Sequence, residues 1–188
     1  MIYVDFNFWN TRSIRGFIAS LSIVEATSRM KFSFNCRHKR PPLDLLEYFF
    51  RLMQRQGYPC IVVRVDEGGE LAKSTEFNQY MIDTLHMKVQ STGGDNSTAN
   101  GMVESPHRPQ KRMTRSALVT AGLPDSFWCF AHQYMIFVDV NTIHSITKRI
   151  PIQHFSGGTR SLPPSKVLIF GCKVRIIKGQ FRNKALES

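Results

Sequence analysis

Acidic side chains are scarce in this chain of 188 residues. Asp and Glu number 14 against 25 Lys and Arg, which leaves a formal charge of +11. An excess of that size favours a polyanionic partner, because each phosphate neutralised by a cation releases condensed counterions. Long apolar runs are absent. No stretch approaches the roughly 18 residues a spanning helix needs, so no membrane segment is expected. The first residues lack a basic region followed by an apolar one, and Asp5 comes early, so no secretory leader is expected there. Paired cysteines are missing too. Cys36, Cys60, Cys129 and Cys172 stand far apart with no C-x-x-C among them. A zinc knuckle needs closely spaced ligand pairs, so the thiols read as small buried hydrophobes in a reducing compartment. No internal repeat is present.

The apolar fraction of 42% is ordinary for a globular domain, and the length suffices for one real core. Residues 2–5 read as a short strand, Phe17 to Val24 as a second, and the alternating 31–36 as a third, joined as an antiparallel meander. Pro41-Pro42 ends strand character. Asp44 and Glu47 resemble a capping box ahead of Leu46, Phe49, Phe50 and Met53 at helical spacing, and Gly57 and Pro59 stop that helix. Cys60 to Val65 is β-branched and apolar, as in a central strand buried on both faces. Strand, helix and strand in succession predict a parallel crossover.

Gly68-Gly69 predicts a turn, and Ser74 a cap for a helix carrying Phe77, Tyr80, Met81 and Leu85. Lys88 to Gln90 reads as a short strand, and the glycine-rich residues 91–101 as a loop. Residues 110–121 read as helix, closed by Gly122 and Pro124. Asp125 is the expected cap of the next helix. Its apolar residues form two stripes, Trp128, Ala131, Met135 and Val138, then Phe127, Phe130, Tyr134 and Phe137, which predicts burial on many sides. From residue 147 the chain reads as looser, with a strand pair or extended segment over Val167 to Ile177 and a frayed basic end over 178–188.

Three acids stand in contexts that suit chemistry. Asp5 follows Ile2-Tyr3-Val4. Asp66 ends the buried run Ile61-Val62-Val63-Arg64-Val65. Glu104 follows Asn100-Gly101-Met102-Val103 near a helix start. Taken singly, each has a plain reading: a solvated residue, turn chemistry before glycines, and a first-turn acid favoured by the helix dipole. Together they match a set in which two acids at strand ends and one on a helix hold a pair of divalent cations for phosphoryl transfer. Arg108, Lys111, Arg112 and Arg115 fall at i, i+3, i+4 and i+7. On a continuous helix they would share one face, either solvated or set against a nucleic-acid backbone. Pro106 and Pro109 predict a break after Glu104 with a restart at Pro109, which would turn Glu104 away from that basic face.

Five stretches in order resemble the catalytic core of retroviral-type integrases, most closely those of copia-type retrotransposons. They are Tyr3-Val4-Asp5, Arg64 to Glu70, Asn100 to Glu104, Ala121 to Trp128, and Leu168 to Cys172. The resemblance implies an α/β, RNase H-like fold, with a five-stranded mixed sheet flanked by helices over residues 1–146 and an extension with a basic tail over 147–188. It implies a DDE polynucleotidyl transferase that processes 3′ ends and joins strands. Asp5, Asp66 and Glu104 would be its catalytic metal ligands, Mg²⁺ or Mn²⁺ its cofactor, double-stranded DNA its partner, a homo-oligomer its working form and the nucleus its site of action. The six histidines and four cysteines do not rebuild the family's upstream zinc module. Two other readings remain: an inactive, transposon-derived basic DNA-binding or assembly module, and a nuclease that cuts without joining.

Overall fold

A computed structural model describes residues 1–66, 70–92, 97–158, 162 and 167–173, with the backbone alone for Thr92 and residues 97–106. The predicted turn at Gly68-Gly69 and the basic end at 178–188 lie outside the described residues. Five strands form one sheet: β1 (Ile2–Phe8), β2 (Ala19–Glu25), β3 (Lys31–Cys36), β4 (Val62–Asp66) and β5 (Lys88–Thr92), in the order β3-β2-β1-β4-β5. The first three pair antiparallel, while β1 with β4 and β4 with β5 pair parallel. The sheet is therefore mixed, with the meander and the parallel crossover that the sequence predicts.

Alternation sets the two faces apart. Val4, Phe6, Leu21, Ile23, Val63 and Val65 point to one face and meet Leu46, Phe49, Phe50 and Met53 of α1 (Leu43–Arg55). Phe77, from α2 (Thr75–Gln79), joins them with Met81 and Leu85 from the wider π turn that continues it. Leu46 is fully enclosed, and truncating such a side chain typically costs about 2–5 kcal/mol. The opposite face carries Asp5, Asn7, Ser20, Ser22 and Ser33. It is covered by α3 (Ser97–Ala121) over β1 and by α4 (Trp128–Val140) over β3. A second apolar cluster, Leu118, Trp128, Cys129 and Ala131 with Trp9 and Phe170, closes that layer.

Several elements differ from the sequence expectation. β1 runs past Asp5 to Phe8, because Phe6 and Phe8 continue the apolar face and the β2 ladder extends to Phe8 opposite Ala19. Cys60 and Ile61 precede β4 rather than belong to it, and β4 buries one face fully, not both. Asp44 caps nothing. Pro42 is the N-cap of α1, and Glu47 instead accepts hydrogen bonds from Arg51 and the Tyr80 hydroxyl. Ser74 does cap α2, accepting from Phe77 N at 3.1 Å.

The largest difference is α3. It is one helix from Ser97 to Ala121, running through both Pro106 and Pro109 without a restart, and its first turns occupy part of the predicted loop at 91–101. Pro109 is exposed, while Gln110, Thr114 and Leu118 are buried in the turns that follow, Leu118 in the cluster with Trp128 and Ala131 of α4. Gly122, at φ 62°, ends the helix as expected.

Asp125 is not a cap either. It lies in a 3₁₀ turn (Asp125–Phe127) whose N-cap is Pro124. The buried residues of α4 are Trp128, Cys129, Ala131, His132, Ile136 and Val140, so the first predicted stripe holds at Trp128 and Ala131, Met135 and Val138 are half-buried, and Phe130 of the second is exposed. Beyond residue 146 the chain is held more firmly than predicted. Phe155, from α5 (Pro151–Phe155), stacks on Tyr58 at 4.4 Å and meets Phe32 edge-on. Residues 167–173 contain no strand. The Tyr134 hydroxyl donates to Leu168 O at 2.6 Å, and Gly171 lies against Ala121. Cys36 and Cys129 are buried, but Cys172 is exposed.

Candidate functional site

The parallel pairing of β1 with β4 sets Val4 beside Val65. The next residue on each strand is an acid, and both valines face the apolar core. Asp5 and Asp66 are therefore neighbours on the opposite, helix-covered face. Both are half-buried, and Asp66 closes β4 across from Thr92 of β5. Asp5 is fixed within its strand: its Oδ1 accepts from Phe6 N at 2.7 Å.

Helix α3 crosses β1 and brings His107 to the site. Its Nδ1 lies 3.5 Å from Asp5 Oδ2. Burial, reinforced by the charges of Lys111 and Lys31, pushes the His107 pKa down to about 4. The imidazole is therefore neutral near pH 7, and it packs beside the carboxylate as a dipole rather than a charge. Glu104 precedes His107 by just under one turn of α3, and its side chain lies outside the described residues.

Arg64, two residues before Asp66, lies on the same face. Its guanidinium sits 5.6 Å from the Tyr3 ring centroid and donates to Gln90 Oε1 at 3.0 Å. Neither His107 nor Arg64 emerges from sequence reasoning. The signal for His107 was its place one turn after Glu104, and that for Arg64 its strand parity with Asp66.

The basic set forms as one face because α3 does not break. Arg108, Lys111, Arg112 and Arg115 are all exposed, while Gln110, Thr114 and Leu118 face inward. No carboxylate pairs with any of the four among the described residues. Lys111 lies at the edge of this face with Nζ 5.9 Å from the Trp9 ring centroid, and partial burial lowers its pKa.

The covered layer is rich in polar groups. Lys31 pairs with Asp139, Gln133 donates to Ser33 O at 2.9 Å, and His132 Nε2 lies 3.1 Å from Ser33 Oγ. Asn7 Nδ2, Ser22 Oγ, Gln110 Oε1 and His132 Nδ1 are buried without a partner among the described residues. Each such atom costs about 1–3 kcal/mol relative to a satisfied one.

Among the described residues no three His, Cys, Asp or Glu side chains converge as a metal site, and the side chain of Glu104 is not among them. The donors that do adjoin, Asp5 and Asp66, are carboxylates. Hard oxygen ligands of this kind suit Mg²⁺ and Mn²⁺ and not soft-metal chemistry.

This strand order, with parallel crossovers and helices on both faces, is the RNase H-like fold as built in retroviral integrase catalytic cores. The HTLV-2 integrase catalytic core in complex with magnesium, in trimeric form, superposes with a TM-score of 0.57 at 14% identity, over 81% of this chain and 93% of that one. The core of BIV integrase gives 0.56 at 16% identity, over 83% and 93%. A simian T-cell lymphotropic virus intasome with PP2A regulatory subunit B56 gamma gives 0.62 at 15%, over 93% and 64%.

The likeness in sequence lies with a plant retrotransposon. The chain is 25% identical over 154 residues to the retrovirus-related Pol polyprotein from transposon TNT 1-94 of Nicotiana tabacum. The match takes in 81% of this chain and spans 11% of that polyprotein. It is consistent with a copia-type integrase core. No protein-family model matches.

Proposed function

We propose that this chain is the catalytic core of a retrotransposon integrase, a divalent-metal-dependent DDE polynucleotidyl transferase that trims DNA 3′ ends and joins them to target DNA. The observation that carries the reading is the placement of Asp5 and Asp66 side by side on one sheet face, under the helix that holds Glu104. Residues 1–146 make the core, and 147–188 an extension. The protein acts on double-stranded DNA as a homo-oligomer, in the nucleus.

Asp5, Asp66 and Glu104 are the residues that would hold Mg²⁺ or Mn²⁺. What such cations supply when bound is an acidified water or 3′-hydroxyl and a neutralised departing oxygen. The chain's own groups do the rest. His107, its pKa pushed down by burial, lies beside the Asp5 carboxylate with Nδ1 3.5 Å from Oδ2. Arg108, Lys111, Arg112 and Arg115 grip phosphates along α3 without reading sequence. The sheet fixes the two aspartates, and fixed donors need no reorganisation during reaction.

Calorimetric titration with Mn²⁺ tests the ligand set. The parent should bind, and Asp66→Asn, which keeps shape and removes one charge, should lose most of the heat. Equal heats in parent and variant would take Asp66 out of the site. Joined products on a labelled duplex, beyond cut ones, separate the transferase from a simple nuclease.

A further inference from the structure

A pocket of about 230 Å³ opens between the turn after β1 and the basic face of α3. Its floor is aromatic. Trp9 and Trp128 stack at 4.5 Å with their planes 12° apart. Both indoles are locked: Trp128 Nε1 donates to Thr11 O at 2.8 Å, and Trp9 Nε1 to Ser20 Oγ at 3.3 Å. Trp128 is enclosed, but Trp9 is only partly buried and lines the pocket, with Lys111 Nζ 5.9 Å over its ring. The rim is cationic, with Lys111, Arg112 and Arg115 along one side and Asp125 as the carboxylate on the other.

We propose that this pocket seats one unpaired nucleotide, with its base against Trp9 and its phosphate among Lys111, Arg112 and Arg115. The volume falls below the roughly 300–1,000 Å³ of pockets for drug-sized ligands, so it suits a single base and not a duplex. An aromatic floor binds any base through its π face. Asp125 would repel a bare polyanion, whereas adenine, guanine and cytosine offer it an amino group. Position adds to this. Trp9 lies four residues beyond Asp5 with the same strand parity, roughly 13 Å along the strand. A nucleotide held at Trp9 is thus close to the paired carboxylates, and a frayed or unpaired DNA end would be told apart from intact duplex. The inference rests on nucleic acid being the partner.

The test uses the protein's own reporters, because Trp9 and Trp128 are its two tryptophans. Fluorescence is followed while the protein is titrated with a deoxyadenylate pentamer, an abasic phosphodiester pentamer and a blunt duplex. The adenylate pentamer should quench saturably and the abasic one should bind more weakly. Trp9→Leu, with Trp128 still reporting, should weaken the adenylate complex about 5- to 150-fold, the loss expected for one stacked base. Trp9→Phe should retain most of the binding and guards against a misfolded Leu variant, with circular dichroism checking both. Abasic and adenylate pentamers that quench alike would overturn the pocket's role. If duplex binding survives in that case, the integrase reading stands without it. If no oligonucleotide binds at all, both fall.

Discussion

His132 makes the stability of this fold depend on pH in a calculable way. It is fully enclosed between α4 and the polar face of the sheet, edge-on to Trp9 and against Ser33. Burial, with smaller contributions from His107 and Lys111, lowers its pKa from 6.5 to about 4. The unfolded chain therefore takes up a proton near pH 6.5 that the folded chain refuses until about pH 4. Stability is fully present above 6.5, falls as pH drops below it, and levels off below 4. Between pH 7 and pH 5 the expected loss from this group is about 2 kcal/mol, and across the whole window about 3 kcal/mol. Against a typical net stability of about 5–15 kcal/mol, that is large enough to measure. Urea unfolding at half-unit steps from pH 7.5 to 5, on the parent and on His132→Gln, is the assay. The variant should be less pH-sensitive by about 2 kcal/mol over pH 7 to 5. Parallel curves for the two proteins would refute a buried, neutral His132 and the closed layer that makes it so.

Other outcomes follow from the same structure. Pro109→Ala should stabilise the protein by up to about 3 kcal/mol, read as a higher Tm, because an exposed proline inside a helix forfeits a hydrogen bond. An unchanged Tm would mean that the helix does not run through that position. Arg112→Ala should weaken duplex binding at all sequences and reduce the salt slope by about one, measured by anisotropy from low to moderate salt. Gly171→Ala should cost about 1–3 kcal/mol in thermal unfolding. Gly171 has φ 74°, and a Cβ there would lie 2.4 Å from that of Ala121. A silent substitution would show that residues 167–173 do not dock on the end of α3.

The apolar half of the fold was legible, because periodicity reports burial directly. The alternation over 31–36, the run ending at Val65 and the spacing of Leu46, Phe49, Phe50 and Met53 each led to the observed element. The other half was not. Asn7, Ser20, Ser22 and Ser33 carry no mark of burial in the sequence, yet α3 and α4 cover them together with Asp5, and His107 and His132 lie in that layer. A polar residue buried by tertiary packing carries no periodic signature. Local rules failed in a related way. Two prolines predicted a break in α3, but burial of Gln110, Thr114 and Leu118, the last against α4, outweighs a local cost of about 3 kcal/mol. Of the acids, Asp5 and Asp66 could be paired once β1 and β4 were read as neighbours. The contact with His107 depended on the course of α3 over the sheet, which no strand pattern encodes.

The most direct test of the central claim is nicking and strand transfer on a short end-labelled duplex with Mn²⁺, the parent run beside Asp66→Asn. The account predicts cut and joined products from the parent and neither from the variant, with both proteins equally folded. Products from Asp66→Asn at the parent's rate, or none from a parent that binds DNA and Mn²⁺, would contradict it.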